Sequence, residues 1–340
     1  SNLYDIKIKK ITLNQLNCMN STEKFYFQIS LVLGAAFLIW VFGAPFKDVQ
    51  TTNEDKQKLQ LKGTPSALTD FVLPVLIVFN DSENVLPKRN WLVPAIELNA
   101  EAAIAMRPDG GRIYYNKNME ARRPIASLTK LMTAIIVLGN YDLNDVIKIS
   151  REKAEPEGSR DDLRPDEKIT VRSLLSIMLI NSSNNAALAL ADKRVDFISL
   201  MNKKTKDLGL SNTHFANPDG VDNKENYSSA LDIAKIFSYL INTNPEILEI
   251  LKTKNMVIYS VDGKIEHRLE NTNEFLGKLS EVMAGKTGYT DKAGGSLILL
   301  ISGFRVNSKD NIITVVLGSP DRFGESEKLI KWLKEAYIWN

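Results

Sequence analysis

Residues 127–140 read Ser127-Leu-Thr-Lys130-Leu-Met-Thr-Ala-Ile-Ile-Val-Leu-Gly-Asn140, and the fold is decided here. Leu128, Leu131, Met132, Ile135, Ile136 and Leu138 recur at nearly every helical turn, which predicts a buried helix closed by Gly139. A serine in the first turn of such a helix meets free backbone N–H groups and the positive end of the helix dipole. Both favour a developing oxyanion. Lys130, three residues on, shares its face. A charged amine inside an apolar helix is costly. Burial and a second cation nearby, for which Lys286 is the candidate, both favour the neutral form that a general base needs.

Ser-x-x-Lys alone selects nothing, because it also occurs at Ser21/Lys24 and Ser150/Lys153. The first lies ahead of a membrane-length apolar stretch. The second sits in the charged run Arg151-Glu-Lys-Ala-Glu-Pro156, and both read as solvated side chains. Two partners set Ser127 apart. Ser182-Ser-Asn184 begins 55 residues later, in a polar interruption over 181–185 between two helical apolar stretches. Short polar side chains compete with backbone hydrogen bonds and favour a loop or cap there. Lys286-Thr-Gly288 begins 104 residues after Ser182 and occurs once. It stands between Met256-Val-Ile-Tyr-Ser-Val261 and Gly295-Ser-Leu-Ile-Leu-Leu-Ile-Ser-Gly303, both predicted as buried strands. Gly288 would let a ligand backbone lie along an edge strand, while Lys286 and Thr287 offer a cation and a hydroxyl to a carboxylate. The three motifs together describe one acyl-transfer site.

These segments resemble the D-alanyl-D-alanine carboxypeptidases, the low-molecular-mass penicillin-binding proteins of bacterial cell walls. Pro124-Ile-Ala-Ser-Leu-Thr-Lys-Leu-Met-Thr133 is similar to the family's nucleophile segment, and Ser182-Ser-Asn-Asn-Ala-Ala187 to its Ser-Gly-Asn-Asp-Ala-Ala stretch. His214-Phe-Ala-Asn-Pro-Asp-Gly220, Tyr227-Ser-Ser-Ala-Leu-Asp-Ile-Ala234, Asn271-Thr-Asn273 and Gly285-Lys-Thr-Gly-Tyr-Thr290 with Ala293-Gly294 resemble further landmarks. The resemblance implies an α/β, β-lactamase/transpeptidase-like fold over 96–340: an antiparallel sheet flanked by helices, with a helical half inserted between early and late strands. The periodicities agree. Ala102-Ala-Ile-Ala-Met106 and Gly111-Arg-Ile-Tyr-Tyr115 predict a hairpin through Pro108-Asp-Gly110. A helical middle runs from about 127 to 251, strands return near 256, 296 and 312–317, and an amphipathic helix closes the domain over 325–337.

The resemblance also implies roles. Ser127 attacks the carbonyl between the two terminal D-alanines of a peptidoglycan stem peptide, and Lys130 takes its proton. Ser182, with Lys286 nearby, passes a proton to the departing D-alanine. Asn184 holds the substrate amide, Lys286 and Thr287 bind the terminal carboxylate, and Gly288 leaves room for the substrate backbone. The N–H groups of Ser127 and Tyr289 form the oxyanion hole. Water then releases the acyl group, and β-lactams acylate the same serine as covalent inhibitors. Two positions depart from the family pattern: Ser183 stands where glycine is usual and Asn185 where aspartate is usual. Only 54 residues follow Lys286, so the β-rich second domain and C-terminal anchor of many relatives are expected to be missing.

The N-terminal end suggests another anchor. Residues 25–46 are 22 residues with only Gln28 and Ser30 polar, enough at about 1.5 Å per residue to cross a hydrocarbon core of about 30 Å. Lys7, Lys9, Lys10 and Lys24 precede them. The positive-inside bias puts 1–24 in the cytoplasm and everything after 46 outside, a single-pass arrangement at the cell membrane. The alternative is secretion after signal cleavage near Gly43-Ala44, which Pro45 disfavours. Residues 47–95 read as a tether and juxtamembrane segment, of which 47–64 are polar. Phe71-Val-Leu-Pro-Val-Leu-Ile-Val-Phe79 is too short to span, and is compatible with packing on the catalytic domain or lying at the membrane surface.

Composition excludes other classes. With 43 basic and 41 acidic residues well mixed, nothing suggests a nucleic-acid surface. The one cysteine, Cys18, falls on the cytoplasmic side, so the outer domain has neither disulfide nor thiol nucleophile. His214 and His267, 53 residues apart, lack metal-ligand spacing and are too few for a serine–histidine triad, so no metal or cofactor is expected. His214 reads as a hydrogen-bonded structural histidine. Class A β-lactamases share the three motifs but deacylate through a glutamate about 36 residues past the second. Pro218 falls there. A D-alanine endopeptidase and a sensor that acylates without turnover remain as alternatives on the same machinery.

Overall fold

The computed structural model describes residues 87–154, 163–302, 304 and 311–339. The segments read as cytoplasmic (1–24) and membrane-spanning (25–46), and the tether up to 86, lie outside them. No helix among the described residues is long and apolar enough to cross a membrane.

The chain begins with β1 (Lys88–Arg89), then the predicted hairpin of β2 (Ala102–Met106) and β3 (Ile113–Lys117), which turns at Gly110 with φ +76°. The insertion follows. A 3-10 turn (Ala126–Thr129) leads into α1 (Lys130–Asn140), β4 (Val146–Lys148), the single turn α2 (Arg151–Ala154) and β5 (Lys168–Thr170). Next come α3 (Val171–Ile180), α4 (Asn184–Asp192), α5 (Phe197–Asp207), α6 (Ala230–Thr243) and α7 (Pro245–Lys252). The return comprises β6 (Asn255–Tyr259), β7 (Glu266–Glu270), β8 (Val282–Thr290), β9 (Gly294–Ile301) and β10 (Ile312–Ser319). It ends in α8 (Arg322–Ala336) and β11 (Tyr337–Ile338).

One five-stranded antiparallel sheet, in the order β3-β2-β10-β9-β8, organises the fold. Its strands read as continuous apolar runs because both faces are covered. Ala102, Ile104 and Met106 point to the insertion with Ile313, Val315 and Leu317, while Ala103 and Ala105 point to α8 with Leu297, Leu299 and Val316. This is the two-residue alternation of a strand serving two cores. The expected α/β architecture, with its helical half between early and late strands, is present.

Several expectations are corrected. The run 256–261 is not a buried strand of the main sheet: β6 pairs only with β7, and its residues alternate between exposed and half-buried. The helical middle is interrupted by the β4–β5 hairpin and by an irregular stretch over 208–229. Gly139 does not close α1, which runs through Asn140 to an extended Tyr141. The tether's last residues, 87–95, belong to the fold. β1 pairs with β11, and the Trp332 indole donates to the Pro94 carbonyl at 2.8 Å.

Candidate active site

Ser127 lies in the 3-10 turn and not in the first turn of an α-helix, which starts only at Lys130. The difference has a tertiary cause. Ala126 is held at φ +46°, a left-handed conformation that costs a non-glycine residue about 1 kcal/mol or more. Two glycines press on it. A Cβ on Gly220 would lie 2.1 Å from the Ala126 oxygen, and one on Gly288 would lie 3.1 Å from the Ser127 nitrogen. A main-chain loop and the β8 strand therefore clamp the serine from both sides.

That loop is itself built from short polar side chains. The Gly220 N–H donates to Asn217 Oδ1 at 2.9 Å, and the Asn217 amide donates to the Val221 carbonyl at 2.8 Å. Thr133 Oγ1 donates to the Pro218 carbonyl at 2.6 Å, and Asn226 Nδ2 to Thr129 Oγ1 at 3.0 Å, stitching the loop to α1 and its leading turn. At its far end Asp222 accepts a 2.6 Å hydrogen bond from Thr290 Oγ1 at the end of β8.

The three motifs meet across this frame. Lys130 is fully buried, and its Nζ donates to Ser127 Oγ at 2.9 Å, to Asn184 Oδ1 at 2.7 Å and to the Asp219 carbonyl. Lys286, also buried, donates to Ser182 Oγ at 2.7 Å and to its neighbour's Thr287 carbonyl at 3.0 Å. The polar corner is shorter than expected, only 181–183. Ser183 caps α4 by accepting from the Ala186 N–H at 2.9 Å, which draws Asn184 and Asn185 into the helix. Ser182 is left at φ +62°, a second strained residue at the site. Glycine's freedom is thus not needed at 183, which has β-like φ −59° and ψ 126°.

A crevice of about 690 Å³ opens over these groups, lined by Ser127, Ser182, Asn184, Thr287, Gly288 and Tyr289. Its edge is β8, the outermost strand of the sheet, as the glycine in Lys286-Thr-Gly288 suggested. Tyr289 is largely exposed, so its backbone and not its buried surface is what it brings. Two of the lining residues to which the sequence reading gave no role hold β8 in place. Arg322, at the start of α8, donates to the Gly288 carbonyl at 2.9 Å, and Thr272 shares a 2.6 Å hydrogen bond with Thr287 Oγ1. No motif marks Arg322, which reaches the crevice only through helix packing, whereas Thr272 lies in the landmark Asn271-Thr-Asn273 without a role having been read for it.

Other candidates fall away from the crevice. Ser150 is exposed at the head of α2, and Ser21/Lys24 lies outside the described residues. His214 sits on a bridge with Tyr227, its Nδ1 2.6 Å from the Glu225 carbonyl, and His267 pairs with buried Glu167. Among the described residues no group of His, Cys, Asp and Glu side chains gathers as a metal site.

Comparison with known proteins agrees with this geometry. The chain is 32% identical to the D-alanyl-D-alanine carboxypeptidase DacF of Bacillus subtilis, over 70% of this chain and 62% of that protein. It therefore spans less than two thirds of that relative's length. It is also 32% identical to a Streptomyces D-alanyl-D-alanine carboxypeptidase, covering 86% of it. The crystal structure of a Streptomyces DD-transpeptidase superposes with a TM-score of 0.66 at 30% identity, over 71% of this chain and 99% of that one. The family profile described as D-alanyl-D-alanine carboxypeptidase matches residues 89–321, and the chain belongs to that family.

Proposed function

We propose that the protein is a serine-type D-alanyl-D-alanine carboxypeptidase that removes the terminal D-alanine from peptidoglycan stem peptides through an acyl-enzyme on Ser127. The observation that carries this reading is the placement of the Lys130 amine. Its hydrogen-bond acceptors include the neutral carbonyls of Asn184 and Asp219, together with Ser127 Oγ. As a neutral amine, Lys130 has two N–H bonds for the two carbonyls and a lone pair for the serine proton.

In this reading Ser127 Oγ attacks the peptide carbonyl as Lys130 takes its proton. The new oxyanion is taken up by the N–H groups of Ser127 and Tyr289, in keeping with the close packing of Gly288, the residue before Tyr289, on the Ser127 nitrogen. The Ser182 hydroxyl, held by Lys286, hands a proton to the leaving D-alanine nitrogen. Asn184 turns its amide nitrogen to the substrate while its oxygen stays on Lys130. Thr287 and Arg322, both lining the crevice, together with Lys286 meet the substrate's terminal carboxylate. Water then attacks the acyl-enzyme and restores the serine. β-Lactams acylate Ser127 by the same step. Residues 25–46 anchor the chain so that this domain faces the wall.

The test is a time course of D-alanine release from a pentapeptide, with Ser127→Ala as control, and mass spectrometry after incubation with a penicillin. Sustained release and an adduct on Ser127 are expected. An unmodified serine overturns the reading, and an adduct without turnover would make the protein a penicillin-binding sensor.

A further inference from the structure

The first residues of the fold make a small protrusion far from any catalytic motif. After β1 the chain reverses over 90–93, and Arg89 fastens the reversal. Its guanidinium donates to the Val93 carbonyl at 2.7 Å, to the Ala336 carbonyl at 3.0 Å and to the Asn90 carbonyl. Asn90 adds a turn of its own, its Oδ1 accepting from the Leu92 N–H at 3.1 Å and its carbonyl from the Val93 N–H at 3.2 Å. What this braced turn displays is Trp91, 85% exposed, and Leu92, 92% exposed. Ile338, 50% exposed, stands directly opposite Lys88 in the β1–β11 pair.

Single exposed apolar residues are ordinary on a soluble surface. Two large ones side by side on a turn that one arginine holds by three carbonyls are a built feature. Cations surround them. Arg89 lies 5.3 Å from the centre of the Trp91 ring, and Arg112 and Lys117 line the adjoining groove with Glu97 as its acidic member. None of the crevice-lining residues belongs to this face.

We propose that this face rests on an anionic bilayer, with Trp91 and Leu92 entering the interfacial zone and Lys88 and Arg112 meeting lipid phosphates. Tryptophan beside aliphatic and basic side chains is the composition that the membrane–water interface selects. The rest of the chain points the same way. Residues 1–86 join the fold at Pro87, immediately before the protrusion, and carry the 22-residue apolar stretch over 25–46. On the proposed anchoring, only the 40 residues of 47–86 separate that stretch from the fold. A contact too weak to hold a free protein would then act at high effective concentration. A glycan strand also stacks on exposed tryptophan. However, it has no use for the aliphatic Leu92 and Ile338 or for the surplus of cations, so the lipid surface is the better fit.

The test uses the full chain in phosphatidylcholine vesicles with or without phosphatidylglycerol. Cys18→Ser removes the native thiol, and an environment-sensitive fluorophore is attached to Leu92→Cys or, as control, to fully exposed Val195→Cys. The label at 92 is expected to shift to the blue and to be quenched by lipids bearing a nitroxide. Both effects should be stronger with phosphatidylglycerol and weaker in Arg112→Gln or high salt. A label at 92 that stays as wet as the one at 195 overturns the proposal. So does a blue shift that appears only on adding soluble glycan strands, which would assign the face to sugar.

Discussion

A β-carbon on Gly220 would sit 2.1 Å from the main-chain oxygen of Ala126, so the 217–222 loop meets the nucleophile turn there backbone to backbone. Gly220→Ala must push that turn aside, and its φ of +88° adds strain. A displacement near 1 Å at a reacting atom costs about 100-fold in rate. Penicillin acylation of Ser127 is expected to slow by at least that order while far-ultraviolet circular dichroism stays native. Acylation at the original rate would show that the contact does not position the serine.

Lys130→Ala removes the proposed base and leaves the Asn184 and Asp219 carbonyls without their donor. Acylation should fall by about 10²–10⁴-fold. Stability should fall by about 1–3 kcal/mol, because buried acceptors lose a partner. Stopped-flow acylation and urea unfolding measure the two effects separately.

Asp222 and Thr290 tie the loop to β8 on the far side of the serine. Asp222→Ala and Thr290→Val should each lower kcat about tenfold, and the double variant should be no worse than either single one. Additive losses would mean that the two residues act apart.

Arg322→Gln keeps the hydrogen bond to Gly288 within reach but removes the charge proposed to meet the substrate carboxylate. KM for a peptide ending in a free carboxylate is expected to rise about tenfold, the worth of one charge-assisted hydrogen bond, with an amidated peptide much less affected.

Tyr141 makes a prediction about pH. Burial, opposed in part by Arg194, pushes its phenol from 10.0 up to about 12, and its hydroxyl donates to the Leu190 carbonyl at 2.9 Å. Tyrosine is neutral when protonated, so between pH 10 and 12 the folded chain holds a proton that the unfolded chain has released. Its contribution to stability is complete below pH 10 and disappears as pH rises to 12. Tyrosinate absorbance should show late-titrating phenols, one fewer in Tyr141→Phe, and that variant's stability should decline less over the same interval.

Much of the site could be read from the sequence because each motif carries its own local signal. The apolar period around Lys130 marked a buried helix, and the polar break at 181–185 marked a corner, which the cap at Ser183 trims to 181–183. What could not be read depends on distant segments. The left-handed Ala126 follows from glycines at 220 and 288, and no pattern within 124–140 encodes it. The 256–261 run has strand-like composition, but only its partner decides which sheet it joins, and that partner is β7. Arg322 comes from an unremarkable stretch of helix whose position against β8 is set by the packing of α8 on the sheet.

The sheet also governs when the molecule can become whole. β2 has β3 on one side and on the other β10, whose residues 313–317 come only after the whole helical insertion. The ribosome must release the whole helical insertion before that neighbour exists, so the early hairpin waits with one edge bare and sticky. A nascent or truncated chain therefore offers no half-working enzyme, and any turnover counted in a sample counts finished molecules.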